Sequence, residues 1–342
     1  MNYWQTLSLF MVQVCLINSL SAGDLKFKFS GEGGISRLSY SIPGEETDLV
    51  ARLEGTLGYA QTAPGSAWRL QARLRPEIYR GESHAFSILG SLRGGYLQNA
   101  GRFRWGVNFL SERQRVDYPF TELTFDVFQL GGQGAWLWQR HYGLAFSLDY
   151  AYRDLNARRE QSLDALLASL EGFLQVSVAA RLAAGVYGES FRVSGPPVLS
   201  LQGGLQRNRG WRAGPTFSLE YKRKLILSGS YRFLLHHSDL TVSPSAEHWV
   251  RLLFGKILSP RWSLFLLLDY YFRDYSLAPV ADASLLYAPL NTQNHVYLKL
   301  ERELSPRSDL FFRAGYFKEN LIYENLTLSG WRATVGLEWG GQ

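Results

Sequence analysis

One cysteine, two methionines and six histidines are all that the 342-residue chain offers to thiol, thioether or imidazole chemistry. The cysteine is Cys15, inside the first apolar stretch, so the chain beyond it has no disulfide, no thiolate metal site and no cysteine nucleophile. His84, His141, His248 and His295 are scattered, and nothing has metal-ligand spacing. No metal and no other cofactor is expected. Long apolar runs are missing too. Only 46% of the residues are AVILMFWYC, and no run reaches the eighteen or more apolar residues of a spanning helix. No nucleic-acid motif occurs, so no nucleic-acid partner is expected and the net charge of +6 is not read as a nucleic-acid patch.

What the chain does have is a hairpin rhythm of about forty residues carried on segments where apolar and polar residues alternate. Tight turns fall near Ala63-Pro64-Gly65, Asn99-Ala100-Gly101, Gln139-Arg140-His141, Ala179-Ala180-Arg181, Lys222-Arg223-Lys224, Ser259-Pro260-Arg261 and Ser305-Pro306-Arg307. Between them lie longer, more polar connections near 42–47, 80–83, 113–121, 154–164, 191–211, 237–247, 274–292 and 319–325. Seven turns and eight connections join about sixteen strands. Counts of fourteen to eighteen stay open, because 191–211 has room for an extra hairpin around Val198–Leu205. Strands cross hydrocarbon only when every backbone group is paired, which requires a closed ring. The expected fold is therefore all-β: a closed antiparallel transmembrane β-barrel. Aromatic residues, 14% of the chain, lie mostly near strand ends, where amphipathic rings suit the headgroup layer. Pro76 and Pro215 lack an N–H and are expected near a strand end or bulge.

The first residues read as an export leader. Leu7 to Ile17 are too few to span, and Asn18-Ser19-Leu20-Ser21-Ala22-Gly23 offers small residues for cleavage after Ser21 or Gly23. No Lys or Arg precedes the apolar stretch, which departs from the usual leader. The division expected is a signal peptide over 1–23 and one barrel domain over 24–342.

Alternation assigns side chains to faces. In 143–153, Leu144, Phe146, Leu148, Tyr150 and Tyr152 face lipid, while Ser147, Asp149 and Arg153 face the lumen. In 211–222, Arg212, Thr216, Ser218, Glu220 and Lys222 face inward. The same reading puts Arg69, Arg73, Arg75 and Glu77 on one wall with Arg52, Arg93 and Arg104. It adds Arg232, Asp269, Arg273, Lys299, Glu301, Arg313 and Arg332, together with Glu54, Asp126, Glu171 and Glu338. The expected pore lining leans basic, which favours anionic solutes; cross-strand pairing of acids and bases that stiffens the wall is the competing reading.

An exported chain of about sixteen alternating strands, with aromatic ends and short turns on one side, resembles the porin-like outer-membrane β-barrels of diderm bacteria over nearly all of its length. The likeness is architectural and rests on no family motif. Trp339 is followed by Gly340-Gly341-Gln342, whereas many such barrels end on an aromatic residue. The resemblance implies a bacterial outer-membrane location with both termini periplasmic, and outer-membrane lipid and the barrel assembly machinery as partners. It also implies a homo-oligomer as an assembly state that the wall pattern leaves open. The function expected is a channel for passive diffusion of small hydrophilic solutes, anionic ones among them, and not an enzyme. Two alternatives stand beside it. One is an export or assembly barrel for a surface polysaccharide, lipid or protein, with Tyr271, Tyr275, Tyr287, Tyr297, Trp136 and Trp138 as stacking surfaces. The other is an outer-membrane hydrolase built on His236, His237, Asp239 and Ser243.

Overall fold

A computed structural model of the chain describes residues 23–40, 45–81, 84–118, 121–139, 141–155, 162–195, 197–199, 204–223, 225–241, 243–274, 294–321 and 326–341. Residues 1–22 of the proposed leader, Tyr275 and Tyr287 lie outside the described residues.

The alternating segments form strands β1 (Asp24–Tyr40), β2 (Glu45–Ala63), β3 (Ser66–Gly81), β4 (Phe86–Ala100), β5 (Phe103–Tyr118) and β6 (Thr121–Leu137). They continue as β7 (Tyr142–Leu155), β8 (Leu163–Ser177), β9 (Ala180–Val193), β10 (Val198–Leu199), β11 (Leu205–Gln206) and β12 (Arg209–Lys222). The last six are β13 (Leu225–Ser238), β14 (Ser245–Ser259), β15 (Trp262–Asp274), β16 (Asn294–Ser305), β17 (Ser308–Leu321) and β18 (Leu326–Gly341). All except β10 and β11 pair antiparallel with their chain neighbours, and β18 returns to β1 from Phe27↔Gly341 to Tyr40↔Leu328, closing one barrel of sixteen strands. The hairpin anticipated within 191–211 exists as β10 and β11, but they pair only with each other and leave the wall at sixteen.

An even number of strands brings the start of β1 and the end of β18 to the rim that carries the tight turns. On that rim Gly65 and Gly101 have φ of 81° and 63°, where a side chain would be strained. Strands of the ring run from 12 to 19 residues, whereas nine to eleven suffice to cross hydrocarbon at a tilt. The wall therefore continues past the apolar layer, and connections expected to be loops are partly strand: β5 runs to Tyr118 and β6 resumes at Thr121.

Both prolines sit inside strands rather than at their ends. The β2–β3 ladder runs to Arg52↔Glu77 and resumes at Gly55↔Leu74, stepping over Pro76. The β12–β13 ladder runs to Ala213↔Leu235 and resumes at Thr216↔Arg232, stepping over Pro215. Each proline thus costs local pairing on one side only, since both keep a partner on the other strand, Ile88 and Val186.

Glycine and aromatic residues meet directly across strands at Phe29↔Gly55, Gly94↔Phe109, Gly134↔Phe146, Gly255↔Phe265 and Phe311↔Gly336. A Cβ at each of these glycines would meet the partner's ring, so the ring covers the backbone that glycine leaves bare. Large apolar side chains stand exposed around the outside of the ring, among them Phe29, Leu53, Trp68, Leu130, Leu148, Leu170, Phe217, Leu298 and Val335. Rings in contact border this band. On the turn side Trp68 lies 4.5 Å from Tyr96, which lies 5.5 Å from Trp105. On the loop side His248 is 5.2 Å from Phe233 and Tyr316 is 5.2 Å from Trp331. Two aromatic girdles around an apolar belt on a closed ring mark a membrane-spanning wall. No helix among the described residues is long and apolar enough to cross a membrane.

Candidate functional site: the inward face of the barrel

Contacts between non-neighbouring strands identify the inner face. Arg332 on β18 pairs with Glu77 on β3, Nη1 to Oε1 at 2.9 Å, and donates to the Tyr79 hydroxyl. Because β1 and β2 stand between those strands, the contact exists only through the interior. Residues opposite one another in a ladder share a face. Carried round the registers, even numbers face inward on β1 and β2, odd on β3 and β4, even on β5, odd on β6 to β9, even on β12 and β13, odd on β14 to β17 and even on β18. The assignment returns to β1 without contradiction.

The registers place Arg52, Arg69, Arg73, Arg75, Arg93, Arg104, Asp149 and Arg153 on this inward face. They place Glu220, Lys222, Arg232, Asp269, Arg273, Lys299, Glu301, Arg313 and Arg332 there as well. Asp126 is a correction: it stands on the outward face, where Arg113 donates to both its oxygens at 2.6 Å. Alternation misleads there because β6 at Asp126 has left the apolar band, and a polar residue facing out meets water and headgroups instead of lipid tails.

Most inward charges are paired. One network crosses the seam where first and last strands meet. Glu32 on β1 accepts from Arg52 (2.6 Å), Arg313 (3.4 Å) and Thr334 (2.8 Å), and Glu77 takes a two-pronged bond from Arg52 and one from Tyr79 (2.5 Å). Three of these partners come from β17, β18 and β2, so the acids tie together strands that are remote in sequence.

A second network lies at the loop end of β9, β12, β13, β14 and β15. Arg212 donates to Glu189 and to Glu247 (2.9 Å). Glu247 also takes Arg273, Nη2 to Oε1 at 2.6 Å, and meets His236 Nδ1 at 2.5 Å. Tyr187 donates to Glu189 at 2.7 Å. Beside it, Leu163, Ala165 and Phe191 form a buried apolar cluster on the inward face, with Leu167 and Val193 against it. Trp249 faces inward between these acids and bases, its indole N–H donating to Asp269 at 2.7 Å and the Arg251 guanidinium 4.0 Å over its ring.

Burial divides the lumen into two halves. At the loop end, Arg212 and His236 are 1% exposed and Glu247 is fully buried. At the turn end, the side chains of Lys28 and Lys222 are 55% and 64% exposed, although they pair with Glu338 (2.6 Å) and Glu220 (3.0 Å). Arg73 pairs with Glu54 at 2.7 Å and Arg104 with Asn99 at 2.7 Å. Arg69, Arg75 and Arg93 form no ion pair with a described residue. Arg93 stands opposite Gln71, diagonal to Arg69 and Arg73, and Arg75 lies two inward positions beyond Gln71, so these bases form a line on β3 and β4 running from the turn rim towards the loop end.

The residues raised for hydrolysis are not gathered. His236 points inward into the buried network, whereas His237 faces outward, 5.9 Å from the Trp211 ring. Asp239 pairs with Arg209. No group of acidic, histidine or cysteine side chains that would hold a metal occurs among the described residues. Of the aromatic residues considered for stacking, Tyr271 and Tyr297 face inward, whereas Trp136 is outward in the girdle, 6.2 Å from Phe103. Sequence reasoning missed Glu32, Glu189, Glu247 and Trp249. Their signal was parity: Glu247 and Trp249 share it with Arg251.

No family model matches the chain, and none of the curated proteins matches it. Solved structures do resemble it in fold. OccAB4 of Acinetobacter baumannii aligns with 95% of this chain and 99% of its own, at 8% identity and a TM-score of 0.47. OpdQ of Pseudomonas aeruginosa aligns with 93% and 100%, at 9% identity and 0.45. The deltaS2 mutant of the monoaromatic hydrocarbon channel TodX aligns with 94% and 90%, at 9% identity and 0.42. At such identities the likeness is one of fold alone, and the architecture rests on the closed ring of sixteen strands itself.

Proposed function

We propose that the chain is a bacterial outer-membrane channel for passive diffusion of small hydrophilic solutes, with a modest preference for anions and both termini in the periplasm. The observation that carries the reading is a closed ring of sixteen strands whose inward face is charged and, in its turn-side half, open to solvent. Side chains of the wall alone do not fill a ring of this size. The narrow zone belongs to the loop-side half, where charged and apolar inward residues are buried together. A solute entering from the turn side meets Arg69 at the rim among interleaved acids and bases, then Arg93 and, deeper, Arg75. Paired charges orient water without selecting a sign, so net selectivity rests on that line of bases and stays modest.

The test is planar-bilayer recording of refolded protein lacking the leader. Stepwise ohmic openings with an anion-directed reversal potential under a KCl gradient are expected. A cation-directed potential would remove the anion preference. Silence from folded, heat-modifiable protein would remove the channel and leave the export or assembly reading.

A further inference from the structure

The tight-turn rim carries positive charge that the lumen does not use. Arg102, Arg223, Arg261 and Arg307 occupy four different turns, are exposed, and make no side-chain hydrogen bond or ion pair with a described residue. Arg140 and Lys224 belong to the same set of turns in the sequence, and none of the seven turns contains an acid. The acids near this rim stand on the inward face: Glu220, Glu301 and Glu338 pair with Lys222, Lys299 and Lys28, and Asp24, Glu303 and Asp309 face the lumen beside them. Just above the turns, Lys256 and Arg302 face outward and are exposed, with the Arg302 guanidinium 5.5 Å over the Trp262 ring. The loop side is built differently. Its outward face mixes the two signs: Asp126, Asp117 and Glu122 pair with Arg113 and Arg115, while Arg80, Arg192 and Lys318 make no ion pair with a described residue.

Outward bases without outward acids, set at the level of an aromatic girdle on one side of a membrane-spanning wall, match one kind of surface. We infer that the tight-turn rim binds the phosphate groups of anionic phospholipids in the leaflet it faces. A guanidinium matches a phosphate in a two-pronged hydrogen bond, and basic residues beside a membrane are drawn to anionic headgroups over about a Debye length. Exposed arginines on a free rim would equally suit a soluble acidic polymer, but Lys256, Arg302 and the Trp262 ring face the lipid, where such a polymer does not reach. The inference rests on the membrane-spanning fold alone and is independent of conduction.

Tryptophan quenching in vesicles tests it. The refolded barrel is placed in bilayers of zwitterionic phospholipid containing equal mole fractions of brominated phosphatidylglycerol or brominated zwitterionic lipid. For the parent chain, quenching by the anionic lipid should exceed that by the zwitterionic one several-fold in relative binding constant, and 1 M salt should shrink the excess. In R102Q/R223Q/R261Q/R307Q the ratio should fall towards one, with R102Q/R307Q as the milder variant should the fourfold change impair folding. Equal quenching of the parent chain by both lipids, or an excess that survives in the variants, overturns the inference. So does retention of soluble polyglutamate by protein that shows no lipid preference.

Discussion

Replacing Glu247 by Gln removes one charge from the most buried ion cluster without changing its shape. Glu247 faces Arg212 at 2.9 Å, Arg273 at 2.6 Å and His236 at 2.5 Å, and the Arg212 side chain is only 2% exposed. The neutral amide can still accept a hydrogen bond, but Arg212 and Arg273 lose the carboxylate they share, while Glu189 stays paired with Arg212. Breaking a buried pair by removing one partner costs about 3–5 kcal/mol, because the remaining charge stays out of water. That corresponds to roughly two to four orders of magnitude in the unfolding equilibrium. The comparison is Glu54→Gln, which breaks the Arg73 pair where both side chains keep more than a quarter of their exposure, 29% and 27%; there the expected loss is about 0–1 kcal/mol. Urea unfolding in lipid vesicles, read by heat-modifiable migration and tryptophan emission, measures both. Equal small losses for the two variants would refute the claim that the Glu247 cluster is shielded from the water of the lumen.

Gly94→Ala should destabilise by about 1–3 kcal/mol, because its Cβ would overlap the Phe109 ring, whereas Gly90→Ala, with nothing within 4 Å, should change thermal stability little. Arg69→Gln, Arg75→Gln and Arg93→Gln in combination should move the KCl reversal potential towards cations while leaving the fold intact, and an unchanged potential would remove that line of bases from selectivity. Glu32→Gln weakens three bonds that reach β2, β17 and β18 across the seam. It should speed unfolding in urea more than Glu54→Gln does, as read from the time course of loss of the compact band.

The ring was legible because its physics is local: alternation sets faces, turn residues set hairpins, and the demand for paired backbone closes the wall. The segments 143–153 and 211–222 read correctly for face because they lie inside the apolar band, where lipid and lumen differ most. Asp126 did not, since above the band both faces of β6 meet polar surroundings. Pro76 and Pro215 were expected near a strand end or bulge; they sit mid-strand where one ladder is interrupted, because the wall tolerates a missing pair on one side when the other side holds. The buried networks were the least legible part. Nothing local marks Glu247 as different from Glu54; the difference arises from which strands the ring brings beside each. Leu163 and Phe191 fell within the expected connections 154–164 and 191–211, yet they belong to β8 and β9 and pack inward.

The most direct measurement is a cysteine scan of β12, made clean because Cys15 is the chain's sole cysteine and lies in the proposed leader. Single cysteines at Phe217, Ser218, Leu219, Glu220, Tyr221 and Lys222 would be introduced into the barrel in vesicles and treated with a charged, membrane-impermeant thiol reagent. The fold and the open turn-side lumen require strong labelling at Ser218, Glu220 and Lys222 and weak labelling at Phe217, Leu219 and Tyr221. Labelling without that alternation, or reversed in parity, would contradict the account.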